Sequence, residues 1–113
     1  MPAATGSFTF FDENFNGEFY PEGFVTIFYG ILNNRRIPQF SVPTATITYD
    51  SLEGSLGKYR VYSISRSFVG PDTIDITFIN DSDPKKAIHL TGQLASPIDT
   101  SYPVLGNGSW EFR

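Results

Sequence analysis

The chain contains no cysteine. That absence excludes disulfides, thiolate chemistry and cysteine-based zinc sites, and it gives no sign of an oxidising compartment. Histidine is nearly absent too: His89 is the only one, so a His-rich metal site cannot form within one chain. Positive charge is sparse, with 8 Lys and Arg against 12 Asp and Glu, a net charge of −4 and a pI near 4.7. The basic residues fall as the pairs Arg35-Arg36 and Lys85-Lys86 and as singles such as Lys58, Arg60 and Arg66. Without a basic stripe to neutralise a phosphate backbone, nucleic-acid binding is not expected.

No stretch approaches the roughly 18 apolar residues of a membrane span. The opening residues Met1 to Gly6 carry neither a basic nor an apolar leader region, so the sequence reads by default as a soluble, cytoplasmic protein. No window shows apolar residues at i, i+3, i+4 and i+7 with a cap, so no helix is predicted. G-x-S-x-G, H-E-x-x-H and a phosphate-cradling glycine loop are all missing. No repeat, low-complexity tract or linker divides the chain.

What is present is aromatic and strand-like. Residues are 40% hydrophobic and 16% aromatic, with ten Gly and eight Pro spread along 113 positions. That size and composition predict one domain, residues 1–113, with one core built largely from aromatic rings. The clearest pattern is Thr73 to Gln93, two alternating stretches joined by the polar loop 80–86. Closed symmetrically, it sets Ile76 against Leu90, Phe78 against Ile88 and Ile74 against Gly92. Its other face pairs Asp75 with Thr91, Thr77 with His89 and Thr73 with Gln93.

Further strands are expected at 7–11, 24–31, 39–42, 45–49, 58–68 and 108–113, with a short piece at 19–20 and an Asn16-Gly17 hairpin turn before it. Residues 24–31 are apolar on both faces and call for cover on both. Residues 95–107 read as irregular. About eight short strands at even spacing predict an all-β fold, an antiparallel sandwich or a small closed barrel.

Four constellations carry chemistry. Asp12, Asn14, Asn16 and Gly17 match the start of a calcium loop, D-x-[DN]-x-[DN]-G. The twelfth position is Gly23, however, and Glu22 falls one residue early, so an acidic hairpin turn explains the run as well. The second constellation is the polar face Asp75, Thr77, His89, Thr91 and Gln93, either a solvated sheet surface or the lining of a ligand site. The third is the aromatic load from Phe8 to Tyr29: most of these rings read as ordinary core, but they are more than a one-sided core takes up, and the remainder suit stacking on sugar rings or self-association. Asn33–Arg36 and Gly106–Trp110 are polar and aromatic, the residue types that grip sugar hydroxyls. Trp110, the only Trp, serves there as either a ligand platform or a core plug.

The sequence therefore predicts a non-catalytic, cofactor-free module binding a carbohydrate or small apolar molecule through Asp75, Thr77, His89, Thr91, Gln93 and Trp110. Two alternatives stand beside it: a subunit of a homo-oligomer, and a cofactor-free cyclase or isomerase with Asp75, His89 and Tyr62 in a barrel lumen.

Overall fold

Alternation of apolar and polar residues at period two, repeated along most of the chain, leaves one side of every strand needing cover. The computed structural model, described for residues 3–20, 25–34, 36–49, 59–80 and 87–112, shows how that cover is supplied. Eight antiparallel strands close on themselves: β1 (Ala3–Phe11), β2 (Asn14–Phe19), β3 (Thr26–Leu32), β4 (Phe40–Tyr49), β5 (Tyr59–Val69), β6 (Thr73–Asn80), β7 (Ile88–Gln93) and β8 (Tyr102–Phe112). Their order round the ring is β1-β2-β3-β8-β5-β6-β7-β4, with β4 pairing back to β1. The fold is a closed barrel, not a sandwich.

An eight-stranded barrel has an interior just wide enough for side chains to fill. Here they are rings. Phe8 stacks on Phe15 at 4.4 Å and lies within 6.4 Å of Phe19, Phe28, Phe78 and Trp110, centroid to centroid. Trp110 packs in turn on Phe19, Phe28 and Phe78. Ile47, Ile64, Ile74, Ile76, Ile88 and Leu90 complete the filling, each buried. Phe10 stacks on Phe40 at 5.3 Å, and both are buried.

The hairpin 73–93 forms in the expected register, with Ile76 opposite Leu90, Thr77 opposite His89 and Asp75 opposite Thr91. Elsewhere the chain departs from simple reading, for identifiable reasons. The first turn is at Asp12-Glu13, both at positive φ (50° and 71°), and not at Asn16-Gly17, which lies inside β2. Gly17 is there because Phe8 is opposite it: an added Cβ would come within 2.6 Å of the Phe8 ring. The expected strands 39–42 and 45–49 are one strand, which begins at Phe40. Pro43 sits with Thr44 in a bulge where β4 has two residues against one of β1, which spares it a ladder hydrogen bond.

β5 carries a second bulge. Arg66 takes positive φ (51°), and two residues there face one on each neighbouring strand. Side-chain direction flips across it, so Tyr62 and Ile64 point in while Arg66 and Phe68 point out. The Ser67 hydroxyl, brought inward, accepts the Thr77 N–H at 2.9 Å. That flip is why neither face of β5 looks apolar in sequence. Residues 102–107, read as irregular, belong to β8, because pairing with β3 and β5 overrides the weak strand preference of Pro103, Gly106 and Gly108.

One interior position is imperfect. Thr26 is fully buried and its hydroxyl has no hydrogen-bond partner among the described residues. Thr26→Val, which keeps the shape and removes the polar atom, is expected to raise the unfolding free energy by about 1 kcal/mol. Urea denaturation measures it, and a loss of stability would show that the hydroxyl is satisfied.

Candidate functional site

With the interior full, the described surface that remains for chemistry is the outer wall and the ends. Every second residue of β2, β3, β8 and β5 points outward, and the register lines them up in two rows across four strands. One row runs Asn16, Tyr29, Ser109, Val61; the next runs Asn14, Ile31, Asn107, Ser63. Tyr29 is 58% exposed and Ile31 and Val61 nearly half exposed, although β3 is as apolar outside as inside. These residues line an open depression of about 530 Å³ whose floor is the backbone of Gly30 and Gly108. It holds one aromatic ring, two aliphatic side chains, and the amides and hydroxyls of Asn14, Asn16, Asn107, Ser63 and Ser109. An apolar surface with a few convergent polar groups is the make-up of a small-molecule site.

This wall was only partly visible in sequence. The Gly106–Trp110 segment supplies Asn107 and Ser109 to the depression, from a strand and not a loop. Trp110 itself points the other way and is fully buried, so it is the core plug. Asn34, in the 33–36 segment, is engaged in holding its own loop, donating to the Pro103 carbonyl at 3.2 Å and accepting the Arg36 N–H at 3.0 Å.

The polar face of the β6–β7 hairpin lies across the barrel, with β7 four places round the ring from β3. Asp75 Oδ1 and His89 Nε2 approach to 2.6 Å, a diagonal pair between the directly opposed Asp75–Thr91 and His89–Thr77. Their side chains are 39% and 46% exposed, on the outside of the wall. Thr77, Thr91 and Gln93 also face outward from these strands, beside Thr46 and Thr48 of β4. Tyr62 is inside the barrel and 2% exposed. The lumen of Asp75, His89 and Tyr62 foreseen for a cyclase therefore does not form, since the wall separates the pair from the phenol.

The calcium candidates lie at the first turn and on β2. Asp12 is in the turn, Asn14 and Asn16 point outward from β2, and Asn14 Nδ2 donates to the Asp12 carbonyl at 3.3 Å. Glu22 lies outside the described residues, and among those described no cluster of three His, Asp or Glu side chains gathers as metal ligands. No described helix is long and apolar enough to cross a membrane. No family profile matches the chain, and no curated protein is significantly similar to it.

The outer row of β2 continues past Asn16 to Glu18 and Tyr20. Tyr20 is 59% exposed and its hydroxyl donates to Glu18 Oε1 at 2.8 Å. That hydrogen bond, and then the carboxylate charge, hold the Tyr20 hydroxyl above its ordinary value of 10.0. Glu18→Gln removes the charge and is expected to bring Tyr20 back toward 10.0, read from its ring resonances in an NMR titration. No change on substitution would show that the pair is not formed in solution.

Proposed function

We propose that the protein is a non-catalytic binding module that holds a carbohydrate against the outer wall of its barrel, over β2, β3, β8 and β5. The observation that carries this reading is the exposed Tyr29 ring, set beside Asn16 and Ser109 in its own row and Asn14 and Asn107 in the next. A sugar ring has an apolar face and an equatorial rim of hydroxyls. A tyrosine ring meets the first, and amide and hydroxyl side chains meet the second. The filled interior speaks against the other ligand class, a small apolar molecule carried in a lumen. The Asp75–His89 face stays a weaker candidate, since the depressions at the Tyr29 wall are lined by other residues.

A glycan panel followed by calorimetry tests the reading. Tyr29→Ala is expected to weaken binding of any ligand found by about tenfold or more, with the fold intact by circular dichroism. An intact barrel that binds nothing across the panel would refute it.

A second reading has its own support. Tyr29, Ile31, Val61 and Leu105 are large, exposed and grouped on adjacent strands, the surface expected of an assembling subunit. Light scattering at high concentration separates the two: a strict monomer ends the assembly reading.

A further inference from the structure

Three depressions on the outer wall adjoin one another and together form a shallow trough. The first, at Tyr29, shares Asn16 and Tyr29 with a second over Gly17 and Ile27. That one shares Ser7 and Glu18 with a third beside Tyr20 and Pro43. The band thus crosses the strands from β5 through β8, β3, β2 and β1 to β4, with exposed Tyr29 lining the first two depressions and exposed Tyr20 the third. Tyr29 stands opposite Asn16 in the ladder, and Tyr20 follows four residues further along the chain, about 14 Å away at the rise of an extended strand. No single sugar ring covers that span.

Resting on the binding reading above, we propose that the ligand is an uncharged or cationic oligosaccharide chain that lies along this trough, with one ring on Tyr29 and a later ring on Tyr20. Charge selects this occupant over an anionic glycan. Among the described residues lining the three depressions there is no Lys or Arg, the one ionised group is the carboxylate of Glu18, and the whole chain carries a net −4. A uronate or sulfated chain would meet repulsion and find no cation to pair with. The Tyr20 ring is ready to serve as a platform because its hydroxyl is tethered to Glu18, which reduces the freedom lost on stacking.

The test uses dimers and hexamers of a neutral β-linked glucan and of chitin and chitosan, with a polyuronate hexamer as the anionic arm, titrated calorimetrically into wild type, Tyr20→Ala and Tyr29→Ala. For at least one non-anionic series the hexamer is expected to bind about tenfold more tightly than the dimer. Tyr20→Ala should cut that gain back to the statistical factor of the longer chain and leave the dimer's affinity unchanged, while the polyuronate shows no binding. The variant comparison matters because a hexamer also gains a statistical factor from its several registers, which Tyr20→Ala does not alter. Equal affinity for dimer and hexamer, a gain that Tyr20→Ala leaves undiminished, or binding of the polyuronate as tight as that of the neutral chain would overturn the proposal. If Tyr29→Ala leaves the dimer's affinity untouched, it is the underlying binding reading that fails.

Discussion

Truncating Phe8 to alanine is expected to lower the unfolding free energy by about 3–5 kcal/mol, the cost of a phenyl ring deleted from a core that cannot collapse around the gap. Phe8 touches five other rings, from four strands other than its own, so no single neighbour can move in without leaving its own partners. Gly17 opposite it offers no side chain to lean into the space. The closed ladder also fixes the radius of the wall. Chemical denaturation of the variant measures the loss. A cost below about 1 kcal/mol would mean that the barrel interior is soft and has room to rearrange. Leu in place of Phe8 should recover part of the loss by refilling volume, without restoring the ring contacts.

The second large effect is expected at Gly106, from the opposite fault. An added Cβ there would come within 2.0 Å of the Ile31 carbonyl oxygen and 3.1 Å of its carbon, which are backbone atoms and have no alternative rotamer. Gly106→Ala must therefore push β8 away from β3, and the cost is about 3 kcal/mol or more, at the upper end of overpacking. The seam it opens also carries the Ile31–Asn107 pairing of the Tyr29 depression. Sugar binding and stability should fall together in this variant, whereas Tyr29→Ala should lose binding alone. Retained binding in a destabilised Gly106→Ala protein would show that the depression does not depend on the β3–β8 seam.

The two walls of the barrel differ in how far they could be read from the chain. The β6–β7 hairpin was legible to the residue, because clean alternation fixes both face and register once the two stretches are known to be neighbours. β5 was not, since the bulge at Arg66 reverses which residues face inward, and a bulge leaves no mark in the period. β8 was half-read: Trp110 and its neighbours have strand character, but 102–107 is held by partners far away in sequence.

Of the candidate site, only the Gly106–Trp110 segment was legible in sequence, because the Tyr29 wall is built from amides, hydroxyls and aliphatic groups that carry no motif. The signal for it was nevertheless present in 24–31. A strand apolar on both faces calls for cover on both, and in a barrel only the inner face is covered. Of its outer residues, Tyr29 and Ile31 stand exposed, and their cover is what the proposed ligand would supply.

The most direct measurement is a backbone amide NMR titration of the isotopically labelled protein with the tightest-binding oligosaccharide from the panel. Binding on the outer wall predicts shift changes at Asn16, Tyr29, Asn107 and Ser109, extending to Glu18 and Tyr20 for the longer chain, with the Thr73–Gln93 hairpin silent. Changes confined to Asp75, Thr77, His89 and Thr91, or to the buried ring cluster around Phe8 and Trp110, would contradict it.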